Sequence, residues 1–540
     1  MRRLPILFYL LLTLLFDVRG QGELQDVVPP TPNAASILRY IETPVGHFTG
    51  VPNIQIPIYT VQSKTLTLPI SLSYHAGGNK VGDIASWVGL GWSLSPQPSI
   101  TRVMRGLPDE GGYGYFNDPG LEALLEDPDE TDLLDFQKKV YEGQADGDPD
   151  IFMYSLPDGK SGEFFYDQTE EEFYTNPHEN IIITFDDTNQ GKFKIVSDDG
   201  TTYIFDQVES SSWTGSGIAT TWYASKIVNA SKTDQIEFTY ASENQTNRDK
   251  GVFNEVYHLI HSNCDGVKPS EIDELRGLSN PLWPIATKQA LRLEEIIFSN
   301  GKVKFNVDDD TQREDLIGGY ALESIEVLDN DGEVIKKISF EKKYVTSSSC
   351  PTTAFPAETK RMLLEKIHDG ESISQWVTHS FEYNETIPIP CRLSFAEDYW
   401  GYYNGKDYNQ KSIPNLTFII DGKPFRAANG ANRNVDPSKS QFAILKKINY
   451  PTGGFTEFEY ENHRTNDENT FLAYDNESVY LANEIPPSMW DEEENGPYPR
   501  VYETSFTINN PSDPYLNANN PNGGGMPLSL WQILAMVAPW

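Results

Sequence analysis

The sequence predicts an all-β fold: successive antiparallel hairpins forming a long curved sheet or partial β-shell, with one small helical insertion. Three observations carry this expectation. Apolar and polar residues alternate, turn dipeptides recur between the alternating runs, and a hairpin-like unit repeats along the middle of the chain.

Alternation is clearest early. Ile54, Ile56 and Ile58 alternate, then Leu66, Leu68, Ile70, Leu72 and Tyr74, with Thr65, Thr67, Ser71, Ser73 and His75 between them. Period two places each set on one face of a strand. Residues 109–150 break the pattern. This acidic stretch predicts a helix over about residues 131–141, with Leu133, Leu134, Phe136 and Val140 as buried positions and Thr131 or Asp132 as cap.

Strands and turns dominate after Ile151. The turn signals are Asp158-Gly159, Asp199-Gly200, Asn300-Gly301, Asp331-Gly332, Asp369-Gly370, Asp421-Gly422 and Gly453-Gly454. Such dipeptides supply the positive φ of tight hairpins. The repeated unit is Leu-x-x-Ile, a turn, then a strand ending in an aromatic residue. Leu293/Ile296 leads to Phe305, Leu322/Ile325 to Phe340, Leu364/Ile367 to Phe381 and Tyr383, and Leu445/Ile448 to Phe458 and Tyr460. Ala224/Ile227, leading to Phe238 and Tyr240, is a looser copy. One hairpin cannot bury its apolar face alone, so stacked units would form one long sheet.

The length of 540 residues exceeds one ordinary core, and roughly two to four domains are expected. The reading divides the chain into a signal peptide (1–20), an N-terminal β region (21–108), the acidic helical insertion (109–150), the hairpin region (151–462) and a low-order tail (463–540). Arg2 and Arg3 precede an apolar run from Leu4 to Phe16, and small residues at Val18 and Gly20 place cleavage after Gly20. The run is shorter than the roughly 20 apolar residues of a membrane span. A secreted or cell-surface protein with no stable span after signal removal is therefore expected. The chain stops inside an apolar stretch, Met526 to Trp540, which suggests truncation or a broken reading frame.

The 28 Tyr, 27 Phe and 10 Trp argue against wholesale disorder. A formal charge of −37 argues against nucleic acid as partner, since phosphate backbones need clustered Lys and Arg. The cysteines are Cys264, Cys350 and Cys391. That is no disulfide scaffold: one bridge is possible, and spacing does not choose the pair.

Residues 49–110 carry a resemblance. The matching stretches are Thr49 to Ile54, Leu68 to Ala76, Ala85 to Leu94 (containing Trp87-Val88-Gly89-Leu90-Gly91-Trp92), and Arg105 to Glu110 after Ile100 and Arg102. They resemble the start of exported Rhs/YD-repeat proteins of Bacteroidota. They are also similar to the N-terminal regions of virulence-plasmid B proteins and insecticidal toxin-complex B components. Asp398 to Gly405 is a second match, and the resemblance spans roughly residues 35–465. It implies a hollow β-shell that encloses a C-terminal toxin, with this chain holding the beginning of the shell and no cargo. Pro96-Gln97-Pro98 departs from the glycines usual there. Tyr-Asp repeats are sparse (Tyr166-Asp167, Tyr474-Asp475), and the Rhs core motif is absent. From the residues themselves, Gly89 and Gly91 allow a tight turn, across which Trp87 and Trp92 can pack.

The constellations tested for chemistry assign no catalytic, cofactor-binding or metal residue. Gly159-Lys160-Ser161 lacks the first glycine of a phosphate loop, since position 154 is Tyr154. Gly215-Ser216-Gly217 lacks the full nucleophile elbow. His258, His261 and Cys264 have zinc-like spacing without an evident fourth ligand. Asp146, Asp148 and Asp150 alternate like the start of a calcium loop. Ile151 and Pro157 replace the glycine and glutamate that loop needs, so a solvated acidic loop is expected, as for Asp308-Asp309-Asp310. Trp400, Tyr402 and Tyr403 could stack on sugars, but sheet packing is the preferred reading.

The expected function is a non-catalytic, exported structural or shell segment of a surface or toxin-delivery protein, without cofactors. Its partners would be a C-terminal toxin cargo or a downstream shell segment absent from this chain. The alternative is a cell-surface adhesin or glycan-binding module, whose partners would be surface glycans or proteins. A carbohydrate-active enzyme ranks third. A concave, polar inner sheet face with open edges would favour the shell, an exposed aromatic platform around Trp400 the binder, and facing carboxylates in a cleft the enzyme.

Overall fold

The structure is a computed structural model. It describes residues 50–463, apart from 95, 118–129, 169, 187–190, 213–216, 251–282, 284, 348, 351–353, 371–375, 415–416, 421–422 and 427–429. Strands make up 49% and helix 3%, so the all-β expectation holds.

The alternating N-terminal residues form β1 (Asn53–Gln62) and β2 (Thr67–His75), an antiparallel hairpin extended by β3 (Trp92–Ser93). β4 (Ser99–Val103) opens the main sheet. Among its described residues the insertion holds one helix, α1 (Glu130–Tyr141), where helix was expected. β5 (Ile151–Ser155), β6 (Ser161–Asp167) and β7 (Glu172–Asn176) then line up antiparallel beside β4. β8 (Ile182–Asp186) and β9 (Lys192–Val196) lead to the long pair β10 (Thr202–Ser212) and β11 (Ile218–Val228).

A meander follows: β12 (Gln235–Arg248), β13 (Ile285–Phe298), β14 (Gly301–Val307), β15 (Leu322–Leu328), β16 (Val334–Thr346), β17 (Lys360–Asp369) and β18 (Val377–Tyr383). Each pairs antiparallel with the next. β19 (Thr417–Ile420) and β20 (Lys423–Arg426) form a separate hairpin. β21 (Leu445–Asn449) returns to β18, and β22 (Phe455–Glu457) pairs with β21. β11 pairs with β4 and β12 at different points, and β10 also touches β13, so β10 to β13 close into a ring.

The Leu-x-x-Ile unit has a structural cause. Residues three apart in a regular strand face opposite ways, yet Leu293 and Ile296 are both buried, as are Leu322 and Ile325, Leu364 and Ile367, and Leu445 and Ile448. Each unit contains a β-bulge. Thr239 faces Glu295 while Tyr240 faces Leu293, which leaves Glu294 as the extra residue. Glu323, Glu365 and Lys446 are the extra residues of the other units, and Ser225 that of the looser copy. The extra residue is polar and turned outward or half-exposed. It resets the alternation so that both apolar neighbours point inward, and it bends the strand.

A bulge frees backbone groups that must find other partners. The N-terminal segment supplies several. Leu322 N–H donates to Trp87 O (2.9 Å), and Ala224 N–H to Pro98 O (3.0 Å). Leu445 N–H donates to the Tyr74 hydroxyl (2.8 Å). The aromatic residues ending the units supply others: Tyr240 Oη donates to Ala224 O (2.7 Å) and Tyr383 Oη to Leu364 O (2.6 Å). Residues 50–98 therefore lie across the inner face of the sheet as a plug.

The two tryptophans, expected to pack across their own turn, find ring partners elsewhere, although Trp87 Nε1 also donates back across the turn to Leu94 O (3.3 Å). Trp87 lies against Phe305 of β14 (5.9 Å between centroids). Trp92 lies between Tyr74 (5.1 Å) and Phe381 (4.8 Å), and its Nε1 donates to Tyr383 Oη (2.8 Å). The turn is pressed close to β17: a Cβ at Gly89 (φ +148°) would sit 2.7 Å from Leu364 N.

Candidate functional site

Three side-chain groups outside the apolar core were candidates for function: a projecting aromatic turn, the base of the insertion, and a charged cluster beside a disulfide.

The turn at residues 398–402 is built by one carboxylate. Buried Asp398 accepts the N–H groups of Trp400 (2.9 Å) and Tyr402 (3.0 Å). Gly401, at φ +91°, reverses the chain, a conformation that favours glycine. The Arg433 guanidinium holds Asp398 O and Ser412 O and lies over the Tyr399 ring (5.4 Å). Tyr402 Oη donates to Gly77 O (3.0 Å) in the plug. Beneath, the buried side chains of Asn404 and Asn409 donate to Asn432 O (2.9 and 3.0 Å). Tyr403 is buried against Phe442 (6.0 Å). Tyr399 and Trp400, in contrast, point into solvent. Sheet packing, the expectation for this trio, thus holds for Tyr403 and is corrected for Trp400: the Asp398–Gly401 turn carries its side chain off the sheet.

The base of the insertion corrects a second expectation. Asp146 and Asp150 are buried, and only Asp148 is solvated. The buried carboxylates exchange water for backbone N–H groups. Asp150 accepts from Arg105 N–H (2.6 Å) and Asp146 from Leu107 N–H (3.0 Å). Asp109, also buried, accepts from Asp150 N–H (3.0 Å). The two ends of the insertion are thereby stapled together. Arg102 is the buried cation of the group. It pairs with Glu110, approaches Asp150 (3.3 Å), and stacks on Phe152 (5.4 Å) and Trp222 (4.9 Å). Burial, and then the neighbouring Asp150 charge, push the Asp109 carboxyl far up. Burial raises Asp150 against the pull of Arg102. Burial also raises Asp146, to about 6, although the N–H groups of Asp148 and Leu107 oppose it.

The third group surrounds the bridge Cys350–Cys391, the pairing that sequence left open. Cys264 lies outside the described residues, as do His258 and His261. Beside the bridge, Arg248 grips buried Glu358 through two hydrogen bonds (2.8 and 2.6 Å) and stacks on Phe355 (4.5 Å). Arg361 donates to Val81 O (2.9 Å) and Arg313 to Ala85 O (2.9 Å). These guanidiniums tie the plug to the sheet. A polar stretch adjoins them, with Glu243, Gln245 and Asn247 on β12 and Lys288 on β13, all buried. Burial brings the Lys288 ammonium down to about 8.

Among the described residues, no three His, Cys, Asp or Glu side chains are placed to share a metal ion. Gly159-Lys160-Ser161 forms the β5–β6 hairpin turn, where Lys160 pairs with Asp158 (3.1 Å) and Asp198 (2.6 Å). Ser216 and Gly215 lie outside the described residues. Asp309 and Asp310 are solvated, in a turn capped by Asp308. No helix among the described residues is long and apolar enough to cross a membrane. The brace of Asn side chains under the aromatic turn gave no advance signal, because buried and solvated Asn look alike in sequence.

Residues 47–262 match the family described as Salmonella virulence plasmid 65kDa B protein. That match supports the virulence-plasmid B side of the resemblance and a toxin-related segment. No curated protein matches the chain. A similar solved structure is the N-terminal domain of effector protein SpvB from Salmonella typhimurium strain LT2, 12% identical, covering 59% of this chain and 98% of that one, with a TM-score of 0.31.

Proposed function

We propose that the chain is a non-catalytic scaffold, an exported segment of a toxin-delivery or surface protein of the Rhs/YD-repeat kind. One observation carries this reading: the row of β-bulges across β11, β13, β15, β17 and β21. A bulge at the same place in hairpin after hairpin bends a sheet steadily, as the wall of a shell requires. The plug, the buried arginines and the disulfide all serve that wall. The implied partner is a toxin cargo or a further shell segment.

The test is the native size of the product in cell and culture fractions, probed with antibody to residues 21–460. A species several times the 60.9 kDa of this chain is the expected result, and its appearance in the exported fraction tests secretion. A stable product near that mass, retained in the cytoplasm, would sink the proposal.

A second reading, attachment to a cell surface, draws on the solvent-facing Tyr399 and Trp400.

A further inference from the structure

We propose that the turn at residues 398–402 docks the neutral sugar rings of a polysaccharide, with Trp400 and Tyr399 as the stacking surface. This names a site and ligand class for the attachment reading and rests on that reading.

Trp400 is 64% exposed and Tyr399 61%. Neither ring contributes to the apolar core, yet the backbone beneath them is held by side-chain hydrogen bonds. Asp398 fixes two N–H groups of the turn, Arg433 holds its carbonyl, and Tyr402 anchors it to the plug. Packing does not require such rigidity at a solvent-facing tip. Binding does, because a surface already held in shape loses little entropy when a ligand lands on it. Large aromatics with few torsions are the residues that gain most from such a position.

Chemistry selects the occupant. One face of a pyranose is rich in C–H groups and buries against an aromatic ring as any apolar surface does. Its hydroxyl edge needs polar neighbours, and Lys80 runs alongside Gly401 while the exposed Tyr408 follows on the same loop. A chain of formal charge −37 repels polyanions, which disfavours nucleic acid, acidic polysaccharide and anionic membrane. A neutral polysaccharide carries no such penalty.

Affinity electrophoresis of the full chain tests this, in gels containing mannan, starch, a galactan or heparin. The expected result is retardation by at least one neutral polysaccharide and none by heparin. Trp400→Ala should weaken that retardation about tenfold, Tyr399→Ala less, and Tyr113→Ala, an exposed tyrosine elsewhere, not at all. The substituted rings are solvent-facing, so an unchanged thermal melt will show that the fold is intact. Undiminished retardation of the Trp400→Ala/Tyr399→Ala double variant would overturn the site while leaving surface attachment standing. Retardation by heparin alone, or by nothing, would overturn the ligand class. Cell-surface fractionation of the same variants judges attachment separately: wild-type attachment without sugar binding would point to a protein receptor.

Discussion

The Tyr383 hydroxyl holds together three parts of the molecule. It donates to the bulge carbonyl of Leu364 and accepts from Trp92 Nε1 in the plug. Tyr240 does the first of these for Ala224. Replacing either by Phe leaves a buried acceptor without its partner, at a cost of about 1–3 kcal/mol. Tyr383→Phe also orphans an indole N–H, so it should cost more than Tyr240→Phe in urea unfolding. Equal, negligible losses would mean that the hydroxyls do not cap the bulges. Single residues were the least legible scale in the sequence. Trp400 and Tyr403 are near neighbours of similar type, and sequence assigned both to packing. What separates them is a carboxylate-capped turn, which depends on where Asp398 points. Likewise Asp146 and Asp148 look alike in sequence, and only the backbone N–H groups of residues 105–109 decide which of them is dry.

At the scale of the element, the hairpin unit was readable and its reason was not. Leu-x-x-Ile stood out because it recurs in the same phase before a turn, although its spacing violates strand periodicity. Explaining it needs the register, because the extra residue is identified by what faces it across the ladder. The bulge makes a sharp prediction. Glu323 is exposed, and its carboxylate steadies the Lys342 ammonium, so Glu323→Ala should cost no more than about 1 kcal/mol. Deleting Glu323 leaves Leu322 and Ile325 two positions apart and both facing inward, so it removes the bulge and its bend without exposing either side chain. The lost bend and the broken bond from Leu322 N–H to Trp87 O should still cost about 1–3 kcal/mol, more than the alanine. Denaturant midpoints of the two variants decide the matter. A deletion as mild as the alanine would show that the bulge is incidental. The helix was legible from its apolar spacing, and its range agrees with the expectation to within a residue.

At the scale of the whole molecule, long-range ties close the fold, and these were illegible in sequence because they join residues from dozens to hundreds of positions apart. The disulfide spans 41 residues, and its loss should lower the unfolding free energy by about 4 kcal/mol in the loop-entropy account. A Cys350→Ser/Cys391→Ser variant should unfold at the same urea concentration as the reduced wild type. Protonation acts through two further ties with opposite signs. Asp234 on the β11–β12 turn binds Ser63, Thr65 and Leu66 at the β1–β2 turn. Burial alone would raise its carboxyl, but those hydrogen bonds outweigh it and hold the pKa down at about 2. Its contribution is present above the ordinary carboxylate range and is lost as pH falls toward 2. Asp109, Asp146 and Asp150 are shifted the other way. The folded state keeps their protons where the unfolded chain has released them, so stability falls as pH rises from about 4 through 6 and beyond. Together they place greatest stability in mildly acidic solution. Urea midpoints should therefore rise from pH 8 to pH 5 and fall again below about pH 4. Asp109→Asn should flatten the alkaline limb and raise stability at pH 8. Asp234→Asn should lower stability at pH 7 and flatten the acid limb. An Asp109→Asn profile parallel to wild type above pH 5 would mean that the base of the insertion keeps its carboxylates charged.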